Sequence, residues 1–252
     1  MAKLPISVQL YTLRDAVSKD FAGTLKKLSQ IGYKAGELAG YGDLKTAAET
    51  RKAFDANGMV VSGMHVGLDA FKKDTNAVIA DAKTLGCQNV ILPYIDPNTL
   101  GTHAEWRTFA ATCQNFGKLV TDAGLTFAYH NHDFEFRKYE NEYAMDIFLQ
   151  HSDPKAVKIE LDLYWVSKGG LDPVAYLKQL GNRVVLVHLK DKTADGKFAP
   201  VGTGTLDFKA LTDTAAGLGV RYGVVEQDDC YGKDPFECVA TSFENLKKIG
   251  VV

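Results

Sequence analysis

His130, Asp162, His188 and Glu226 are four residues of metal-ligand type, each near the polar end of an otherwise apolar, β-branched segment. The segments read TFAYHNH (126–132), VKIELDLYW (157–165), RVVLVHLKD (183–191) and RYGVVEQDD (221–229). Two neutral imidazoles with two carboxylates suit a divalent first-row ion, whereas oxygen donors alone point to Mg or Ca. One divalent ion is therefore the expected cofactor, with Mn, Zn, Co and Mg all open. The four candidates recur roughly 25–40 residues apart, about one strand-plus-helix unit each, which is how a (β/α)8 barrel gathers a site at its C-terminal mouth.

The elements that must position them alternate along the whole chain. Strand patterns occupy 5–11, 33–38, 59–65, 89–94, 126–132, 157–163, 184–190 and 221–227, with amphipathic stretches such as FAGTLKKLSQIG and DPVAYLKQLG between them. Many of these stretches close on Gly, the residue best suited to a left-handed helix cap. Asp172-Pro173 and Asp234-Pro235 read as N-cap and first-turn pairs. Eight units of about 31 residues match a closed barrel. The alternative is a doubly wound sheet, but Gln9-Leu10-Tyr11-Thr12 stands where its glycine fingerprint would follow the first strand. No linker or composition break divides residues 1–252, so a single (β/α)8 TIM barrel domain is expected.

Side chains two apart on a strand share a face. That rule groups Ala128, His130 and His132; Glu160, Asp162 and Tyr164; Leu186, His188 and Lys190; and Val224, Glu226 and Asp228. Glu160 stands out as an acid one step below the mouth. Lys190 can polarise a carbonyl or bind an anion. Gln9 and Tyr11, at the end of the first strand, can hydrogen-bond hydroxyls. Gly202-Thr203-Gly204 resembles a phosphate cradle without the Lys-Ser/Thr of a P-loop, and reads better as a tight turn with Asp207 capping the next helix. Phe134 and Phe136 form either a lid or an intersubunit contact.

Composition excludes several classes. The 252 residues carry 29 Lys and Arg against 31 Asp and Glu, interspersed, for a formal net charge of -2. No basic stripe marks a nucleic-acid partner. No apolar run is long enough to span a bilayer, so no membrane partner is expected. The four cysteines form no CxxC pair. Together with the absence of a leader-like apolar stretch after MAKLPISVQLYTLRD, this suggests a cytoplasmic location. The sequence leaves a homo-oligomer open.

HNHDFEF, LDLYWVSKGGLDP, VHLKD, VGTGTLDF and VVEQD, in this order and with VQLYTLRD at the start, resemble the sugar phosphate isomerase/epimerase family of xylose isomerase-like TIM barrels. The resemblance implies a carbohydrate substrate and one metal held by four strand ends, which map onto His130, Asp162, His188 and Glu226. It also implies that Glu226 is a general base, and it places a substrate contact at Trp165. One position departs from the family: His130 stands where the epimerases carry the second glutamate of their acid/base pair. His132, Glu37, His65 and Lys190 are the remaining candidates for the second proton, with Glu37 and His65 also placed to touch substrate. The expected activity is metal-dependent isomerisation or epimerisation of a sugar or sugar phosphate through a metal-stabilised enediolate. Elimination from a keto-sugar or inosose, by a dehydratase or lyase, is the alternative. An endonuclease IV-like DNA-repair enzyme fits less well, because the chain has six histidines in all and no basic groove.

Overall fold

The computed structural model describes residues 3–252. Eight parallel strands close into a barrel: β1 (Ile6–Gln9), β2 (Ala35–Leu38), β3 (Val60–His65), β4 (Asn89–Leu92), β5 (Thr126–His130), β6 (Lys158–Asp162), β7 (Val184–Leu189) and β8 (Tyr222–Val225). Each strand pairs with its chain neighbours, and β8 closes on β1 with Val8 opposite Val225. All eight expected strands are present, with ends a few residues shorter than the hydropathy pattern. At β1 the reason is local. The Gln9 side chain accepts the Tyr11 N–H, and the chain turns into a 3-10 helix over Leu10–Leu13.

The outer helices are α1 (Phe21–Ile31), α2 (Ala47–Ala56), α3 (Leu68–Leu85), α4 (His103–Asp122), α5 (Ala144–Gln150), α6 (Pro173–Leu180), α7 (Phe208–Gly217) and α8 (Pro235–Lys248). Asp172, Asp207 and Asp234 cap α6, α7 and α8 through their side chains. Gly86 ends α3 in the left-handed region, φ 65°, where a residue with Cβ would be strained. No helix among the described residues is long and apolar enough to cross a membrane.

Alternation within each strand divides the apolar surface in two. Outward residues such as Phe127, Tyr129, Ile159, Leu161 and Val225 join the large core beneath the helices. Ile91, Ala128 and Leu186 belong to a separate small cluster between the polar base and mouth of the barrel. At the base, Arg221 donates to Asn89 and Thr126, and the Ser7 and Ser62 hydroxyls bond at 2.6 Å. At the mouth, register sets His130 opposite Glu160 and Asp162 opposite His188. The pairing shifts at Gly36/Glu37 and again at Ile159/Glu160, so two buried acids sit at irregularities that re-aim side chains.

Gly63 on β3 makes room for one of those acids. A Cβ there would overlap Glu37 Oε1 and stand 2.8 Å from Ile91 Cδ1. Gly63→Ala is expected to cost about 1–3 kcal/mol as overpacking, read as a lower urea midpoint. Gly217→Ala, at a helical position with open space around it, is expected to be neutral or stabilising by about 0.4–1 kcal/mol in the same assay.

Candidate metal centre

Two acids without exposed surface, Glu37 and Glu160, form the floor of the site. Glu160 Oε2 lies 2.7 Å from His65 Nε2, 3.0 Å from His130 Nδ1 and 3.3 Å from His188 Nε2. Glu37 Oε2 meets His188 Nε2 at 2.7 Å and Gln9 Nε2 at 2.8 Å. An ionised carboxylate only accepts, so the imidazole nitrogens bonded to it carry hydrogen. On His130 this leaves Nε2 without hydrogen and facing the mouth. His188 is bonded to carboxylates at both nitrogens, and Glu160 and Glu226 outweigh its burial and raise its pKa, so Nδ1 must give up a proton before it can hold a cation. His130 Nε2 lies 3.7 Å from Asp162 Oδ2, and His188 Nδ1 lies 3.9 Å from the same oxygen and 2.8 Å from Glu226 Oε2.

Asp162 serves two neighbours. Its Oδ1 caps the short helix Leu163–Lys168 by accepting the Trp165 N–H at 3.0 Å. Its Oδ2 is buried with no hydrogen bond, although Lys190 Nζ stands 3.0 Å away out of alignment. Lys190 Nζ also contacts Glu226 Oε2 at 2.7 Å and Asp228 Oδ1 at 3.1 Å. Five acids therefore crowd one barrel mouth against a single ammonium. Two groups of donor atoms converge within 4.8 Å: His65, His130, Glu160 and His188 below, and Asp162, His188 and Glu226 above. In the lower group the contacts are those of N–H donors on a carboxylate. The upper atoms together with His130 Nε2, including an unsatisfied carboxylate oxygen, fit a divalent cation.

Above them opens a cavity of about 600 Å³, whose polar wall is His65, His130, His132, Lys190, Glu226 and Asp228. Tyr11 and Tyr94, each about half exposed, stand in its apolar wall. His132 is held from both sides. Its backbone N–H donates to Glu135 Oε2 at 2.8 Å, and its ring stacks on Phe134 at 5.7 Å. The Tyr129 hydroxyl donates to the other Glu135 oxygen. His132 Nδ1 is buried and unpaired, which leaves Nε2 as the ring nitrogen that can reach the cavity.

Burial, reinforced by the Lys190 charge, lowers the His132 pKa to about 3, so the ring is neutral. Burial alone would raise the Glu226 pKa, but Lys190 and His188 outweigh it and hold the group well below the usual carboxylate range. Lys190 itself is pushed up because Asp162, Glu226 and Asp228 overcome its desolvation. Burial and then Glu226 push Asp228 up to about 6.

The residues singled out in the sequence gather here, in two tiers. His130, Asp162, His188, Glu226, Lys190 and His132 meet at the mouth. Glu37 and Gln9 lie beneath it and touch the histidines, with Gln9 fully buried and absent from the cavity wall. His65 reaches both tiers. Trp165 packs 5.4 Å from the His132 ring and is likewise outside the cavity wall. Phe134 and Phe136 are buried within the chain, and Phe136 packs on Tyr176, so neither is an open lid. Gly202-Thr203-Gly204 is a turn, as expected, but its amides are already occupied: Gly202 N and Gly204 N donate to Asp191 Oδ2 at 3.0 and 2.8 Å. Glu135, Asp191 and Tyr94 had not been singled out. Glu135 carries a faint signal, an acid inside the aromatic run FEF; Tyr94 carries none.

The family described as xylose isomerase-like TIM barrel matches residues 25–248. The inosose dehydratase of Geobacillus thermodenitrificans is 24% identical over 213 residues, 77% of this chain and 68% of that protein. The inosose dehydratase of Clostridium tetani is 26% identical over 142 residues, 49% of this chain and 47% of that protein. The chain thus spans about two thirds of the first relative and under half of the second. A sugar phosphate isomerase/epimerase from Parabacteroides distasonis superposes with a TM-score of 0.87 at 25% identity, over 99% of both chains. With its eight-stranded barrel and a match across most of its length, the chain belongs to the xylose isomerase-like TIM barrel family.

Proposed function

We propose that the protein is an enzyme that removes the proton beside a carbonyl of a sugar or cyclitol and then expels a β-hydroxyl, a dehydratase or lyase chemistry. His130 Nε2, Asp162, His188 Nδ1 and Glu226 would hold one divalent ion. Such an ion supplies Lewis acidity at the substrate carbonyl, which makes the adjacent C–H more acidic. The observation that carries the reading is the asymmetry of the mouth. Both carboxylates in the cavity wall, Glu226 and Asp228, come from the end of β8 and share Lys190. The end of β5 contributes neutral His132 instead.

Glu226 takes the proton from carbon, and the lone pair left behind is delocalised as an enolate. The conjugate acid of Glu226 then returns that proton to the departing hydroxyl, and water leaves. Atoms balance without a second carboxylate. Lys190 keeps Glu226 ionised before the step and sets its oxygen in place. His132, fixed by Glu135, hydrogen-bonds a substrate hydroxyl through Nε2. The inosose dehydratase relatives support this outcome. Isomerisation or epimerisation is the second reading, favoured by the accessible His132 Nε2, which could carry a proton on the opposite face.

Three measurements test these roles. Purified without chelator, the protein is expected to carry or take up one equivalent of Mn, Co or Zn. His188→Ala should lose the ion and stay folded at a lower melting temperature, because buried Glu37 and Glu160 each lose a partner, and Glu160→Gln should weaken binding about 10–100-fold by releasing the imidazoles. Protein that takes up none of these ions would sink the metal reading. Glu226→Gln should retain metal while deuterium exchange from D2O into keto-sugars and inososes falls by roughly 10²–10⁴. Near-normal exchange would move the base to His132 or Lys190, and loss of one water from the product, seen by mass spectrometry, separates elimination from epimerisation. Glu135→Ala should lower turnover by freeing His132 and leave metal content unchanged, with Glu135→Gln restoring part of the rate. An equal loss in both variants would reject the clamp.

A further inference from the structure

We infer that the site selects an uncharged polyol carbonyl compound and rejects its phosphate ester. The inference rests on the proposed use of this cavity and adds the charge class of its substrate. Recognising a phosphate takes several cationic or N–H donors converging on one point, and in this cavity the ammonium and the His65 imidazole are already engaged by carboxylates, with neutral His132 as a single further nitrogen.

Among the described residues, Lys190 is the one Lys or Arg in the cavity wall. Its Nζ donates to both Asp228 oxygens at 3.1 Å and lies 2.7 Å from Glu226 Oε2 and 3.0 Å from Asp162 Oδ2. Against its burial, Glu37 and Glu160 hold the His65 pKa up at about 9, so that imidazole is cationic, but its charge faces those two floor acids; in the cavity wall the ammonium is set against Glu226 and Asp228. Asp228, on the cavity side, would face an incoming phosphate with like charge.

The glycine turn after β7 is the one stretch whose sequence looks ready for phosphate, and it is filled from within. Asp191, 1% exposed, takes Gly202 N and Gly204 N on Oδ2, and Lys192 N and Leu206 N on Oδ1 at 2.8 and 3.2 Å. The chain's own carboxylate thus sits where an anion would. Two cations near the mouth stand outside the cavity wall. Arg14 donates to the Tyr11 and Asp228 carbonyls, and Lys168 lies over the Trp165 ring and 3.6 Å from Asp133.

The test uses the full chain loaded with Mn. Deuterium exchange is compared for neutral and phosphorylated twins, D-fructose with D-fructose 6-phosphate and L-ribulose with L-ribulose 5-phosphate. In parallel, inorganic phosphate is titrated against tryptophan fluorescence. The neutral twin is expected to exchange at least about 100-fold faster, with no saturable phosphate signal, and Asp228→Asn should narrow that preference or admit phosphate. A phosphate ester exchanged within tenfold of its twin, saturable phosphate binding to the wild type, or an Asp228→Asn protein with unchanged discrimination would overturn the inference. If no carbonyl compound exchanges at all, the proton-abstraction reading falls, and the phosphate titrations of the two proteins still decide this one.

Discussion

Glu160 is an ionisable acid with no exposed surface, and it is tolerable inside the barrel because imidazoles from three other strands surround it. An isolated buried carboxylate would carry a desolvation penalty of several kcal/mol. Removing the neighbours is therefore far more damaging than never having built the cluster. The arrangement ties β3, β5, β6 and β7 to one another through a single oxygen atom. It also settles which face each imidazole turns upward, so the geometry of the mouth is decided one layer below it.

The loops over the mouth follow a related rule: a buried acid accepts backbone N–H groups and fixes the segment beside the site. Glu135 does this for the turn bearing His132. Asp191 does it for the glycine turn next to Lys190. Asp162 does it for the helix that follows β6. Where the acid is ionised these hydrogen bonds are charge-assisted, roughly twice as strong as neutral ones. Burial pushes the Glu135 carboxyl up to about 8, so near neutral pH it holds its turn mainly as a protonated acid.

The barrel and the four strand-end residues were legible in the sequence because both depend on periodicity. Strand alternation put His130, Asp162, His188 and Glu226 on one face, and the pairing of His130 with Glu160 and Asp162 with His188 agrees with that frame. The same rule exposed Glu160 as an acid out of place, yet could not say that it gathers three histidines, because those contacts cross strands far apart in the chain. Gln9 and Glu37 were legible as polar strand ends, but not as buried partners of the histidines. The depth of a strand end depends on barrel stagger and on the register shift at Gly36/Glu37. Tyr94, Glu135 and Asp191 lie in or beside loops, where no period exists to read.

Asp162 divides its two oxygens between a backbone amide and the buried charge cluster at the barrel mouth, and the two are electronically one group. Whatever draws electron density toward Oδ2 weakens Oδ1 as an acceptor and loosens its hold on the Trp165 N–H. The first turn of the following helix is therefore a resident spectroscopic gauge. The Trp165 amide proton should change its chemical shift and its hydrogen-exchange rate with the charge at Oδ2, although the amide itself never touches that oxygen.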